Sequence, residues 1–210
     1  MPPCGGGSGS LARRVADWLL RQHSAKQVSI DVVDYERPGE YATSEVTLSG
    51  FHQLDEVNGQ YDLAIASAIL EHIPDVHAVM SRLFALVAPG GFFYARTPFM
   101  LPLARLVRGL DLTYPGHVHD MGCDFWNQVV QLFGLDAVVV SSAPSPVETG
   151  LATNPVRTMA AFLLKLPAHL EGRMLPQTRK HRWWKYVGGW EVVLHFGGAN
   201  EAVRGSGAKH

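Results

Sequence analysis

The feature that most restricts the fold is a strand, a helix and a second strand in close succession across residues 61–97. The run YDLAIAS (Tyr61–Ser67) reads as the strongest strand of the chain. Pro74 and Asp75 then open a helix whose apolar face is Val76, Val79, Met80, Leu83 and Val87, and APGG at 88–91 closes it. FFYART, from Phe92, begins the next strand. Parallel neighbours need a crossover connection, so this order predicts adjacent parallel strands with a helix packed over them.

The same rhythm extends in both directions. CGGGSG at 4–9 feeds an amphipathic helix in which Leu11, Val15, Trp18 and Leu19 face the core, and Ser8 or Ser10 is placed to cap it. VSIDVV (Val28–Val33) is β-branched and reads as a buried strand, with a further strand near 45–48. A helix over 125–133 stops at Gly134, and DAVVVS at 136–141 is another strand. GWEVVLHF at 189–196 is a final strand, and residues 144–186 form an insertion or lid before it within one domain spanning 1–210. Only three residues precede Cys4, so the first strand is expected to be cut short, the chain beginning inside the domain.

Charge narrows the partners. Eighteen basic against nineteen acidic side chains give a formal net charge of -1, which leaves no general footprint for nucleic acid. RKHRWWKY at 179–186 mixes cations with aromatics, the combination that grips single strands, but with a neutral total it reads better as a solvated lid. MAAFLLKL at 159–166 is short for a membrane anchor and suits a core or lid helix. No apolar run spans a bilayer and no secretory leader is recognisable, so a cytoplasmic location is expected. Cys4 and Cys123 stand apart with no metal-like spacing, and Glu71 beside His72 offers too few ligands, so no metal is expected.

A glycine turn ahead of a helix lets a ligand approach the backbone and aims the first amides at it. Gly5, Gly7 and Gly9 suit that role. Ser10 stands where the dinucleotide fingerprint wants glycine or alanine, which counts against a nicotinamide cofactor. An acid about 20 residues further on can accept both ribose hydroxyls; Asp31 has that spacing, and Asp34 is the alternative.

Taken in order, CGGGSG, VSIDVVDYERPG, YDLAIASAILEHIPD and LFALVAPGGFFYARTPF resemble the class I S-adenosylmethionine-dependent methyltransferases of the small-molecule type, over residues 3–140. HVHD at 117–120, with FW and a helix behind it, resembles the segment that follows in that family. The resemblance implies an α/β, Rossmann-like doubly wound and mainly parallel sheet with a final antiparallel strand. It implies S-adenosylmethionine as cofactor, with Gly5, Gly7 and Gly9 at its methionine and ribose side, Asp31 and Val32 at the ribose, and Phe51 and His52 near the adenine. Ser67 and Ile69 would approach the sulfonium and the acceptor. Two positions depart from the family: Pro3 where an acid usually stands, and Ser49 or Gly50 where an acid often meets the adenine amine.

Methyl transfer from a sulfonium is an in-line displacement that needs mainly positioning, and a base only where the acceptor arrives protonated. His72, His119 and Asp120 are the candidate bases, with His117 beside them, because all follow strand ends; the plainer role of each is to order its loop. The expected function is methyl transfer to a small-molecule or glycan-like acceptor. Against it stand a catalytically degenerate relative that only binds or scaffolds, a nucleic-acid methyltransferase and an NAD-dependent oxidoreductase.

Overall fold

The computed structural model describes residues 9–35, 39–97, 118–119, 121–145, 155–174 and 189–197. Helix α1 (Ser10–Arg21) leads into strand β1 (Val28–Val33), followed by β2 (Tyr41–Ala42) and β3 (Val46–Phe51). Then come β4 (Tyr61–Ser67), α2 (Val76–Ala85), β5 (Val87–Thr97), α3 (Cys123–Leu132), β6 (Ala137–Pro144), α4 (Pro155–Met174) and β7 (Trp190–Phe196).

These strands form two sheets. In the first, β1 and β3 run parallel in a continuous register from Val28↔Val46 to Val33↔Phe51. The two-residue β2 adds to β3 antiparallel. That hairpin escapes a sequence reading because two residues cannot display alternation; Thr43 makes it, donating its N–H to the Val46 carbonyl at 2.8 Å and accepting the Val46 N–H on its hydroxyl at 2.9 Å. Helix α1 lies over this sheet, with buried Ala16 packed against Ile30, Val32, Val46 and Leu48.

The second sheet has the order β4-β5-β7-β6. β4 and β5 are parallel, while β7 runs antiparallel to both β5 and β6. β6 therefore shares the direction of β4 and β5. The expected reversed final strand is present, but it lies between β5 and β6 rather than at a margin. Two of the described strand pairings are parallel and three antiparallel, so the mainly parallel expectation holds for strand direction within this sheet and not for pairing.

Helices α2 and α3 cover this second sheet. Met80 and Phe84 of α2 and Trp126 and Val129 of α3 join Phe93, Ala95, Val192 and Leu194 in one buried cluster. Phe84 meets Phe93 edge-on, ring centroids 4.9 Å apart, a geometry that adds to the gain from area burial. Asp75, read from sequence as opening α2, is its cap residue, its Oδ1 accepting the Ala78 N–H at 3.1 Å. At α1 the structure corrects the serine reading: the cap position is Gly9, no side chain caps it, and Ser10 is already helical. Ser8 lies outside the described residues.

The APGG segment is also corrected. Helix α2 stops at Ala85, and residues 87–91 already belong to β5, joined to β4 through a register shift between Tyr61 and Leu63. Helix α4 occupies part of the expected insertion, with Pro167 inside it. Among the described residues no helix is long and apolar enough to cross a membrane.

Candidate functional site

In an open α/β sheet the carboxyl ends of parallel strands face the ligand, because helix amino termini and loops converge there. Here those ends are Val33, Phe51, Ser67 and Thr97. Gly9 is the only one of the three predicted glycines that is described, since Gly5 and Gly7 fall outside. Its φ of 70° turns the chain into α1 in a conformation that L side chains rarely adopt. A Cβ there would come within 3.0 Å of both Leu48 Cδ1 and Val32 Cγ2. Gly9, lacking a side chain, makes no side-chain cap on the first turn of α1 at this end of the sheet.

The two acids of β1 are placed differently. Alternation sends Ile30 and Val32 under α1, so Asp31 projects from the other face. There its carboxylate accepts the phenolic hydrogen of Tyr61, a bond that joins the two sheets. Tyr61 is held protonated, its pKa pushed from 10.0 to about 12, by burial first and then by the hydrogen bond and charge of Asp31. Asp34 is the first residue past the strand, 3% exposed, with its N–H on the Phe51 carbonyl at 3.1 Å. Val32 is buried in the core beneath α1, which leaves its backbone as the part that could meet a ligand.

Phe51 ends β3 opposite Val33. His52 is exposed beyond it, with Nδ1 3.4 Å from the Tyr35 carbonyl and its N–H on Glu56 Oε2 at 3.4 Å. Ser67 ends β4, and Ala68 follows at a φ of 54°, its N–H bonded to the Arg96 carbonyl at 2.8 Å. A positive φ on alanine is uncommon outside constrained turns. Ile69 packs against the core cluster, and Leu70–His72 form one turn of 3-10 helix.

That turn carries Glu71, 1% exposed, with Oε1 3.7 Å from His72 Nε2. The Glu71 carbonyl accepts the N–H groups of Val118 at 2.8 Å and His119 at 3.2 Å, and His119 Nε2 lies 3.2 Å from the Pro74 carbonyl. His72 and His119, distant in sequence, thus share one ledge beyond β4. Asp120 and His117 lie outside the described residues, as does RKHRWWKY. Among the described residues no three His, Cys, Asp or Glu side chains gather as a metal site would require.

Sequence reading missed a buried knot beside this ledge. Thr97, the last residue of β5 and fully buried, donates its hydroxyl to the Met121 carbonyl at 2.6 Å and accepts the Trp126 indole N–H at 3.0 Å. Its only sequence signal was a strand-end threonine, which is common. Two shallow cavities, of about 310 and 280 Å³, lie elsewhere, one around Phe84, Phe133 and Asp136 and the other around Glu40, Tyr41 and Thr47. Neither contains the predicted site residues.

Comparison with known proteins gives the family and the fold. A family model described as a methyltransferase domain matches residues 4–140. The fold is similar to the [4+2]-cyclase SpnF, with a TM-score of 0.51 and 14% identity over 93% of this chain and 73% of that one. It is similar also to a Galdieria sulphuraria protein described as a sarcosine dimethylglycine methyltransferase, with a TM-score of 0.50 and 14% identity over 92% of this chain and 76% of that one. A third is the protein solved in complex with the Trm112 methyltransferase activator of Haloferax volcanii, with a TM-score of 0.50 and 10% identity over 92% and 80% of the two chains. No match is found among curated protein sequences. With the family model covering most of the chain, the chain belongs to the S-adenosylmethionine-dependent methyltransferase-domain family.

Proposed function

We propose that this chain transfers the methyl group of S-adenosylmethionine to a small-molecule or glycan-like acceptor held beyond the carboxyl ends of β4 and β5. The observation that carries the proposal is the ledge on which the Glu71 carbonyl ties His119 to the turn bearing His72. A ledge of this kind sets two imidazoles beside the strand ends where the cofactor's reactive end belongs, and imidazole exchanges protons near neutral pH.

The residues present fit the cofactor. The uncapped first turn of α1 and the Gly9 backbone suit its carboxylate and ribose side. Asp34 takes the ribose hydroxyls in preference to Asp31, because Asp34 stands at the carboxyl end of β1 while Asp31 lies in the middle of the strand and projects from the opposite face. Phe51 and His52 flank the adenine, and the backbone from Ser67 to Ile69 borders the acceptor. The cofactor supplies the electrophilic methyl carbon and a good leaving group.

The protein's share is then position and proton removal. The Pro74 carbonyl can only accept, so His119 carries its hydrogen on Nε2 and presents Nδ1 as the basic nitrogen. His72 is the second imidazole of the ledge, its Nε2 3.7 Å from Glu71 Oε1. An acceptor hydroxyl would lose its proton to one of these rings as the new bond to carbon forms, and an ammonium would lose it beforehand, freeing the lone pair that attacks.

Calorimetric titration with S-adenosylmethionine and S-adenosylhomocysteine tests the reading. Binding is expected in the wild type, to be lost in Asp34→Ala and kept in Asp31→Asn. Absence of heat from a folded wild type would instead support a degenerate binding or scaffold role. Binding lost in Asp31→Asn and kept in Asp34→Ala would return the ribose role to Asp31.

A further inference from the structure

We infer that Thr97 is a positioning residue for the acceptor side of the site, acting through a staple of hydrogen bonds that sets His119 across the ends of two neighbouring strands. The inference rests on the reading of His119 as an acceptor-side base and adds the group that holds it there.

The staple has two legs. At one, the segment's amides at Val118 and His119 end on the Glu71 carbonyl, just beyond β4. At the other, the Met121 carbonyl receives the Thr97 hydroxyl at 2.6 Å, at the last residue of β5. β4 and β5 are adjacent and parallel, with Ser67 paired to Arg96, so the two legs stand side by side. His119 belongs to the first leg, two residues from the second, and its ring reaches the Pro74 carbonyl from that position.

The chemistry of Thr97 suits this use. Thr97, Trp126 and Met121 are 0%, 0% and 3% exposed, so the hydroxyl works where water does not compete for its partners. One hydroxyl both donates and accepts: it gives its hydrogen to the Met121 carbonyl and accepts the indole N–H of Trp126. Valine has the same shape with neither function. Its presence would leave a buried carbonyl and a buried indole N–H without partners, and the segment would lose its second leg. Serine keeps both functions.

The test uses the full-length chain, labelled with ¹⁵N, as wild type, Thr97→Val, Thr97→Ser and Trp126→Phe. Long-range proton–nitrogen spectra report which ring nitrogen of each histidine bears hydrogen, and amide exchange reports the protection of Val118 and His119. In Thr97→Val the His119 signal is expected to shift from the Nε2–H form toward that of a free imidazole. Exchange at the two amides should speed by about tenfold or more, as when a segment opens locally. His77, stacked on Phe133 away from the site with ring centroids 4.7 Å apart, should not change. Thr97→Ser should restore the wild-type pattern, and Trp126→Phe, which keeps the Thr97–Met121 bond, should retain it.

A wild-type His119 signal and full amide protection in Thr97→Val would overturn the inference. Should Thr97→Val fail to fold, loss of the His119 signature in Thr97→Ser or Trp126→Phe would overturn it, since packing rather than the hydroxyl would then govern the ring. Titration of the same variants with S-adenosylhomocysteine is expected to give wild-type affinity. Failure of the wild type to bind would count against the proposed function, while the histidine spectra judge the staple.

Discussion

Tyr61 sits at the start of β4 and donates to Asp31 in the middle of β1, so a single phenol links strands of different sheets. Its pKa is raised from 10.0 to about 12 by burial and by Asp31. A group that holds its proton more tightly when folded contributes stability that is complete below the unfolded value and is lost as pH rises through the folded one. Urea midpoints should therefore fall more steeply in wild type than in Tyr61→Phe between pH 10 and about 12. At neutral pH, Tyr61→Phe should cost about 1 kcal/mol, the net worth of one hydrogen bond; equal pH slopes in the two proteins would refute the link. Residue spacing alone left Asp31 and Asp34 as alternatives, because both are acids near one strand end. What separates them is alternation together with a partner thirty residues away, and only the second needs coordinates.

At the scale of elements, the apolar strand runs proved legible: β1 and β4 have the predicted bounds, and α2 begins directly behind the Pro74 and Asp75 that were read as opening it. The segment after α2 was misread because Pro and Gly ordinarily punctuate, whereas here they shape the bulged entry of β5. Gly91 shows why: a Cβ on it would meet the backbone carbonyl oxygens of Ala88 at 2.9 Å and Tyr61 at 3.0 Å. Backbone cannot move aside as a flexible side chain can, so Gly91→Ala should destabilise the protein by roughly 1–3 kcal/mol. Urea unfolding monitored by tryptophan fluorescence measures this. A change smaller than the error would mean that the β4–β5 entry is looser than its geometry implies.

The whole molecule responds to its cofactor through linkage. A ligand present at a hundred times its Kd stabilises the folded chain by about 2.7 kcal/mol, and at roughly 2–4 °C per kcal/mol for a domain of this size the Tm should rise by roughly 5–10 °C. S-adenosylhomocysteine is expected to produce that rise in wild type, and NAD to produce none. A shift with NAD alone would reverse the choice between a methyltransferase and an oxidoreductase cofactor. Such a measurement reads the assembled cleft, since the Gly9 turn, Asp34 and the β4 turn belong to three separate stretches of chain.

By itself the sequence determined the alternation of strand and helix and the family, because these depend on short-range periodicity and on motifs within single segments; it misjudged the face of α1, where Ala12, Ala16 and Leu20 pack on the sheet and Leu11 and Trp18 stay exposed. Tertiary structure decided the rest. It divided the strands between two sheets, turned Asp31 toward Tyr61, and carried His119 to the carbonyl of Glu71 with Thr97 holding its other side. Each of those outcomes is a hydrogen bond between residues far apart in the chain. Such a partner leaves no local pattern, since a tyrosine or threonine at a strand end looks the same whether its hydroxyl meets water or a distant neighbour.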